Sequence, residues 1–226
     1  DYSKSFVPVV GEKKHLIDMS IRNIKNYKIN FFKSKLTSQS DNSFIRVLKT
    51  LQKDLNMDSL PVHIECFDNS NFQGSFPSSA CVVFKNGKPS KKDYRHFNIR
   101  SVAGPDDFAS MREVVFRRYS RLLNEKKSLP NLIIIDGGKG QLSSSVSSLK
   151  ELGVFDDVTI IGIAKRLEEI YFSGESTPIY IDKKSESLKL IQKLRDEAHR
   201  FSLRQYRNRR DNHCLLYTSP SPRDLS

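Results

Sequence analysis

The sequence predicts a mixed α/β fold in which a five-stranded sheet is flanked by helices and preceded by a helical hairpin. Three short strand-like segments come first, and alternating helix and strand patterns follow them. Two largely apolar runs, 132–135 and 158–164, are typical of strands that are buried on both faces beside parallel neighbours. A chain of 226 residues can bury a sizeable core in one domain.

The predicted hairpin occupies a lead-in segment, residues 1–60. Apolar residues recur at helical spacing in 12–35 and again in 44–55, where they form one face. The polar stretch 38–43 separates these two segments and predicts the turn. We expect the two helices to serve packing rather than chemistry.

Three antiparallel strands are predicted next. The first, 62–67, ends on Asp68, and the second, 80–84, is followed by an Asn-Gly pair that favours a tight hairpin turn. Residues 94–99 alternate between aromatic or apolar and polar side chains, which is the pattern of a third strand.

The second half of the chain alternates helices and strands. Its first helix begins at Asp106 and Asp107, which can cap free main-chain N–H groups, and Pro105 stands just ahead. The predicted elements are a helix to about 124, a strand 132–135, a helix to about 152, a strand 158–164, a small hairpin of 169–172 and 178–181, and a helix 185–209. Three antiparallel strands followed by two crossovers form the RNase H-like order, and this domain spans 61–212.

The segment 213–226 lacks this patterning. It is rich in Ser and Pro and resembles translated sequencing-adapter sequence. We therefore expect a non-native or disordered tail that carries no fold.

The chain is strongly basic, with 38 Lys and Arg against 26 Asp and Glu and a formal net charge of +12. This excess favours a polyanionic partner, and nucleic acid more than a membrane surface. No apolar run approaches the roughly 18 residues that span a bilayer. The cysteines form no CxxC pair, which argues against a zinc site or a disulfide framework and favours a cytoplasmic location.

Two aspartates follow predicted strands. Asp68 and Asp136 both stand at carboxyl ends, the edge of an α/β sheet where ligands bind. One Asp there is commonly a turn or cap residue, but two in one sheet, with glycines after the second, favour a site. Facing carboxylates supply oxygen ligands for a hard divalent cation, which can polarise a phosphate. We therefore expect Asp68 and Asp136 to hold Mg²⁺ or Mn²⁺.

The glycine-rich stretch 137–140 does not match a nucleotide-binding phosphate loop. Gln141 follows Gly140, and no Ser or Thr comes directly after Lys139. This spacing disfavours nucleotide hydrolysis. Lys139 is predicted either to contact a DNA phosphate or to be a surface lysine.

The last predicted helix carries a histidine and an arginine cluster. His199 lies on the edge of the core-facing stripe, within about 40° of Leu188 and Arg195 on a helical wheel. A histidine there is either a buried hydrogen-bonded residue or a metal ligand or proton shuttle. From 200 to 210 the chain holds five arginines and no acidic residue, which predicts a track for a phosphate backbone.

Several blocks of the sequence resemble the nuclease domain of the UvrC family. They occur in the family's order across residues 61–210, and residues 8–60 resemble the helical segment that precedes that domain. The blocks are IECFDNSN (64–71) with Gln73-Gly74, YRHFNI (94–99), GPDDFASMRE (104–113), DGGKGQL (136–142), AKR (164–166) and RDEAHRF (195–201).

The resemblance implies an RNase H-like endonuclease that makes the incision 5′ to a lesion in nucleotide excision repair. The implied substrate is damaged double-stranded DNA, and the implied partner is UvrB, which UvrA delivers to damage. The family's catalytic positions carry over onto Asp68, Asp136 and His199 as the metal-centred set. Asp107 matches a further acidic position, although it also fits the first turn of a helix. We expect the basic residues near the site to contact DNA, namely Lys139, Lys165, Arg166, Arg195, Arg200, Arg204 and Arg207.

Parts of the family pattern have no counterpart in these 226 residues. They are the amino-terminal GIY-YIG nuclease that makes the 3′ cut, the segment that docks on UvrB, and the tandem helix-hairpin-helix module. Tyr206 stands where many relatives have a second histidine. We therefore expect a fragment that binds DNA weakly and lacks coupling to UvrB.

Two other functions fit the same fold. One is a non-catalytic DNA-binding scaffold that positions a partner nuclease, but such proteins usually lose a carboxylate, and Asp68, Asp136 and His199 are all present. The other is an RNA-cleaving nuclease, which only the family resemblance separates from a DNA nuclease.

Overall fold

The computed structural model describes residues 8, 10–70, 78–99, 106–164, 169–175 and 177–218. Residues 1–44 and residues 45–226 form two compact units, and α1 (Glu12–Asp54) begins in the first and ends in the second. The other elements belong to the second unit: β1 (His63–Ser70), β2 (Ser78–Lys85), β3 (Lys88–Pro89), β4 (Arg95–Asn98), α2 (Asp107–Asn124), β5 (Leu132–Asp136), α3 (Lys139–Glu151), β6 (Thr159–Ala164), β7 (Glu169–Phe172) and α4 (Glu186–Thr218). None of the helices in these ranges combines the length and apolarity needed to cross a membrane.

The strands form one mixed sheet in the order β3-β2-β1-β5-β6-β7, with β4 also paired to β2. β1, β5 and β6 run parallel, whereas β2 and β7 pair antiparallel to β1 and β6. This confirms the predicted mixed α/β, RNase H-like architecture.

The sheet has seven strands within the described residues, not the predicted five. The Asn-Gly turn after β2 leads into the two-residue strand β3, which was too short to show a pattern. The predicted small hairpin is part of the sheet. Its first arm is β7, which pairs with β6 and so supplies hydrogen-bond partners to the edge of that strand. Its second arm contributes one bridge, between Ile170 and Ile179.

α1 is one continuous helix where the sequence predicts a helical hairpin, so that prediction is wrong. The helix passes through the polar stretch 38–43. Polar residues lower helix propensity only slightly, and α1 contains neither Gly nor Pro, the residues that interrupt helices most strongly. The apolar face predicted near its end is confirmed, because Leu48 and Leu51 are buried.

Helices cover both faces of the sheet. Successive residues of β1 point to opposite faces. The ring of Phe67 contacts Tyr119 of α2, with 6.1 Å between centroids, whereas Asp68 contacts His199 of α4. α2 and its neighbour α3 therefore cover one face, and α4 covers the other. β5, between these layers, is buried along its whole length, as its apolar run predicts.

α2 begins at Asp107, as predicted. The side chain of Asp106 accepts hydrogen bonds from the main-chain N–H groups of Phe108 and Ala109, both at 3.0 Å. Such a cap typically contributes about 1 kcal/mol. Met111 of this helix is buried, whereas Phe108 is 54% exposed and lies at the sheet edge, against Gly140.

α4 is longer than predicted. Instead of ending at 209 it continues to Thr218, into the segment 213–226 for which the sequence predicts no fold. α4 contains no Gly or Pro, and Pro220 is the first residue that must disrupt a helix. Residues 219–226 lie outside the described residues, and the expectation of a tail there stays a prediction.

A buried ion pair fastens α2 to the sheet. Glu65 of β1 accepts hydrogen bonds from Arg118 Nε at 3.1 Å and Nη2 at 2.5 Å, and from the Tyr119 hydroxyl at 3.1 Å. His63 Nε2 lies 3.3 Å from Glu65 Oε1. Burial raises the pKa of Glu65, but hydrogen bonds from His63 and Arg118 outweigh it and lower the pKa to about 2. Glu65 therefore stays charged and depends on its cation.

Arg118→Met should lower the free energy of unfolding by about 3–5 kcal/mol, because it leaves a buried carboxylate without its cation. Urea unfolding measures the change. Arg121→Gln is the matched control, since Arg121 lies three residues further along α2 and its ion pair with Glu125 is solvent-exposed. That change should cost less than about 1 kcal/mol. Equal losses in the two variants would contradict a structural role for the buried pair.

Candidate active site

Asp68 and Asp136 lie side by side at one edge of the sheet. β1 and β5 are parallel, and Phe67 is aligned with Ile135, so the two aspartates follow at the next position of each strand. Neighbouring strands are separated by about 4.8 Å. Asp68 is 1% exposed and Asp136 is 5% exposed. The structure thus brings together the two carboxylates that the sequence singles out.

His199 reaches this pair from α4. Its Nδ1 atom lies 3.4 Å from Oδ2 of Asp68, and its side chain is 51% exposed. A histidine that only fills the core would be buried. The exposed ring beside a buried carboxylate instead favours the ligand or proton-transfer role.

Aromatic packing holds this turn of α4 against the sheet. The ring of Phe201 lies 5.1 Å from that of Tyr94 and stacks on His96 at 3.9 Å, both distances between centroids. The Tyr94 hydroxyl also donates to Glu197 at 3.2 Å. Burial and the adjacent Glu197 carboxylate raise the pKa of Tyr94, so the hydroxyl remains a donor. Glu197 and Phe201 lie two residues before and after His199, so these contacts fix the position of the His199 ring relative to the sheet.

Asp107 stands near the same sheet edge but is exposed. Its main-chain carbonyl accepts a hydrogen bond at 3.0 Å from the side-chain amide of Asn69, the residue after Asp68. The first turn of α2 is thereby tied to the end of β1. Asp107 therefore lies at the rim of the candidate site.

Glycines allow the loop after Asp136 to pack closely. A Cβ atom on Gly162 of β6 would lie 3.0 Å from the carbonyl oxygen of Gly137, and one on Gly140 would lie 2.3 Å from the ring of Phe108. The glycines thus serve close packing around the site.

Arg195 and Cys66 also lie near the carboxylates. Burial is the main cause that raises the pKa of the Cys66 thiol; the charges of Asp136 and Asp68 raise it further, and Arg195 opposes them. The charges of Asp68, Asp136 and Arg195 therefore all affect the pKa of the same thiol. Cys66 stands two residues before Asp68 in β1, a spacing that puts both side chains on one face of the sheet.

The other predicted DNA-contacting residues have separate surroundings. Lys139 Nζ lies over the Tyr171 ring, 5.0 Å from its centroid, and Arg204 is exposed. Arg200 donates to Glu197, three residues earlier on α4, through Nε and Nη2, both at 2.7 Å, so its guanidinium is paired within the helix. Residues 165–166, and with them Lys165 and Arg166, lie outside the described residues, as does the side chain of Arg207.

The donor set fits a hard cation. Two neighbouring buried carboxylates repel each other unless positive charge compensates them, and carboxylate oxygen is the ligand that Mg²⁺ and Mn²⁺ prefer. Across the described ranges no group of three or more His, Cys, Asp or Glu side chains has the arrangement of a complete metal cage. Two carboxylates with His199 in contact with one of them are what this chain offers.

Comparison with known proteins places the chain. The model of the UvrC RNase H endonuclease domain matches residues 52–203, about two thirds of the chain. UvrABC system protein C of Flavobacterium johnsoniae is 58% identical over 94% of this chain, and that of Cytophaga hutchinsonii is 54% identical over 96%. The chain spans 36% of the length of each of these relatives.

Among solved structures, Ciona intestinalis Endonuclease V in complex with a DNA 24mer is similar at 20% identity and a TM-score of 0.34. That similarity covers 74% of this chain and 69% of the other. The family match, in contrast, extends over the strands and helices that carry Asp68, Asp107, Asp136 and His199. This chain therefore belongs to the UvrC RNase H endonuclease domain family.

Proposed function

We propose that this chain is a metal-dependent DNA endonuclease that makes the incision 5′ to a lesion in nucleotide excision repair. The observation that carries the proposal is the buried pair of Asp68 and Asp136 with His199 in contact with Asp68. Metal dependence is inferred from this donor set, and the repair role and side of incision from membership of the UvrC family.

Asp68 and Asp136 would hold Mg²⁺ or Mn²⁺, with His199 as a third ligand or as a proton-transfer group. When bound, such an ion offsets negative charge on the scissile phosphate and lowers the pKa of water. Both aspartates are on inner strands of the sheet, and the Ser79 hydroxyl donates to the main-chain carbonyl of Asp68 at 3.0 Å. The oxygen donors are therefore held on rigid elements, which favours a preorganised site.

Arg195 is suited to offset phosphate charge beside the carboxylates. Its side chain is 20% exposed, and its charge acts on the same thiol as those of Asp68 and Asp136. A guanidinium in a partly desolvated position can donate two hydrogen bonds to one phosphate. Asp107, which is exposed at the rim of the site, would assist the cleavage reaction from the solvent side. Arg204 and Lys139 would contact the DNA backbone further out.

In the longer protein of this family the domain would act with partners. We infer that damaged double-stranded DNA reaches it through UvrB, which UvrA loads at the lesion. Selection of lesions would then depend on UvrB.

Incubation with labelled duplex DNA and with the corresponding RNA duplex, each with Mn²⁺ or with EDTA, tests the proposal. Nicking of DNA that requires Mn²⁺ is the expected result. Cleavage of RNA alone would instead indicate an RNA nuclease of this fold. DNA binding without cleavage in any metal would indicate a scaffold and contradict the proposed activity.

A further inference from the structure

A basic cavity lies at the edge of the sheet opposite the carboxylates. It has a volume of about 200 Å³, and its lining includes the start of β1 at His63 and the end of β2 at Lys85. Asp68 is five residues beyond His63 along β1. At roughly 3.3 Å per residue the cavity is therefore about 17 Å along β1 from the carboxylate pair, and it lies on the opposite face of the sheet, which α2 covers. It does not belong to the candidate active site.

Positive charge exceeds negative charge around this cavity. Its described lining contains two carboxylates, Asp93 and Glu125, and five Lys or Arg side chains: Lys85, Arg95, Arg118, Arg121 and Lys127. Even when the buried Glu65 beneath Arg118 is included, an excess of two positive charges remains.

The two carboxylates are already shared among several donors. Glu125 lies 2.6 Å from both Lys127 Nζ and Arg121 Nε, and these hydrogen bonds lower its pKa to about 2. Asp93 accepts hydrogen bonds from Lys85 at 2.8 Å and from Ser90 at 2.7 Å. The two carboxylates carry fewer negative charges than the positive charges of the Lys and Arg side chains around them. The surplus of positive charge is therefore a property of the cavity.

The donors of Arg95 point to the same conclusion. Its Nη1 atom donates to the main-chain carbonyls of Lys92 and Tyr94, at 2.9 and 2.6 Å. Carbonyl oxygens satisfy hydrogen-bond donors but carry no formal charge. At the rim, the side chains of Arg121 and Lys127 are 68% and 61% exposed, so they can turn toward an anion.

We propose that this cavity binds a phosphate group and that its occupant is a backbone phosphate of DNA, remote from the phosphate that is cut. Its volume is below the roughly 300–1,000 Å³ of pockets for drug-sized molecules, which favours a small anion. Guanidinium and ammonium groups are the usual phosphate donors of proteins. The choice of DNA as the source of the phosphate rests on the proposed function. A contact remote from the cut would fix the orientation of the duplex.

Titration of the chain with inorganic phosphate at constant ionic strength tests the cavity itself. NMR signals of the arginine Nε–H groups of Arg118 and Arg121 should shift saturably. The shift of Arg118 should disappear in the double variant Arg121→Gln/Lys127→Gln. Shifts no larger than those produced by chloride would overturn the phosphate site.

The salt dependence of duplex DNA binding tests the source of the phosphate. Each lost phosphate contact reduces the slope of log affinity against log salt by about 0.9, so the double variant, which removes the contact to one phosphate, should reduce it by about 0.9. Arg112→Gln is the matched control, because Arg112 lies on the opposite side of α2 and is paired with Glu151. Its slope should match that of the unmodified chain.

An unchanged slope in the double variant, or an equal reduction in the control, would overturn the assignment to DNA. Both arms measure binding and not cleavage. A chain that binds phosphate and DNA in this way but never nicks DNA would contradict the proposed function and leave the cavity assignment intact.

Discussion

Asp136→Asn should reduce Mn²⁺-dependent nicking of DNA by roughly 10³-fold or more while the domain stays folded. A metal ion contributes several kcal/mol to the stabilisation of charge in the transition state, and each 1.36 kcal/mol is a factor of ten in rate. Asn preserves the size of the side chain but removes the charge that attracts the cation. The variant also removes one of two neighbouring buried negative charges, so the melting temperature should not fall in the absence of metal.

Asp156→Asn is the matched control for that variant. Asp156 is exposed and precedes β6, at the sheet edge opposite Asp136. Its substitution removes the same charge and should leave nicking unchanged. Undiminished cleavage by Asp136→Asn in the same assay would contradict the assignment of the metal site to this pair of carboxylates.

His199→Ala should lower the cleavage rate by about 10²–10⁴-fold, the range typical of lost acid–base assistance, while DNA binding persists. The side chain of His199 is half-exposed, so its removal creates no buried cavity, and the melting temperature should change little. Nicking kinetics, a DNA-binding isotherm and a melting curve separate these three quantities.

His199→Gln distinguishes a chemical role for the histidine from a packing role. Gln retains size and hydrogen-bonding capacity but can neither transfer a proton as imidazole does nor ligate a cation as well. Activity close to that of the unmodified chain in the Gln or the Ala variant would mean that the contact with Asp68 is structural only.

The parts of the fold that could be predicted have strong local signals. The apolar run before Asp136 is confirmed as the buried strand β5, and the cap at Asp106 is confirmed as the start of α2. The predictions that failed depended on weak local signals. The polar stretch 38–43 does not interrupt α1, because only Gly and Pro weaken a helix strongly enough.

The site residues that could be predicted are those whose place in the fold follows from their position in a strand or helix. Strand ends bring Asp68 and Asp136 to one sheet edge, and helical spacing with the family resemblance identified His199. The basic cavity could not be predicted, because Lys85, Arg121 and Lys127 are distant in sequence from His63 and meet only in the folded domain. Arg200, predicted to contact DNA, is paired with Glu197, which also accepts a hydrogen bond from Tyr94, a residue just before β4 and distant in sequence.

A crystal grown or soaked with Mn²⁺ would locate the ion by anomalous scattering. The proposed mechanism predicts a peak between Asp68 and Asp136, with carboxylate oxygens at about 2.1 Å and the His199 ring turned toward the ion. A crystal that contains Mn²⁺ at other positions, with no peak at this pair and His199 directed away from it, would contradict metal-dependent cleavage at this site.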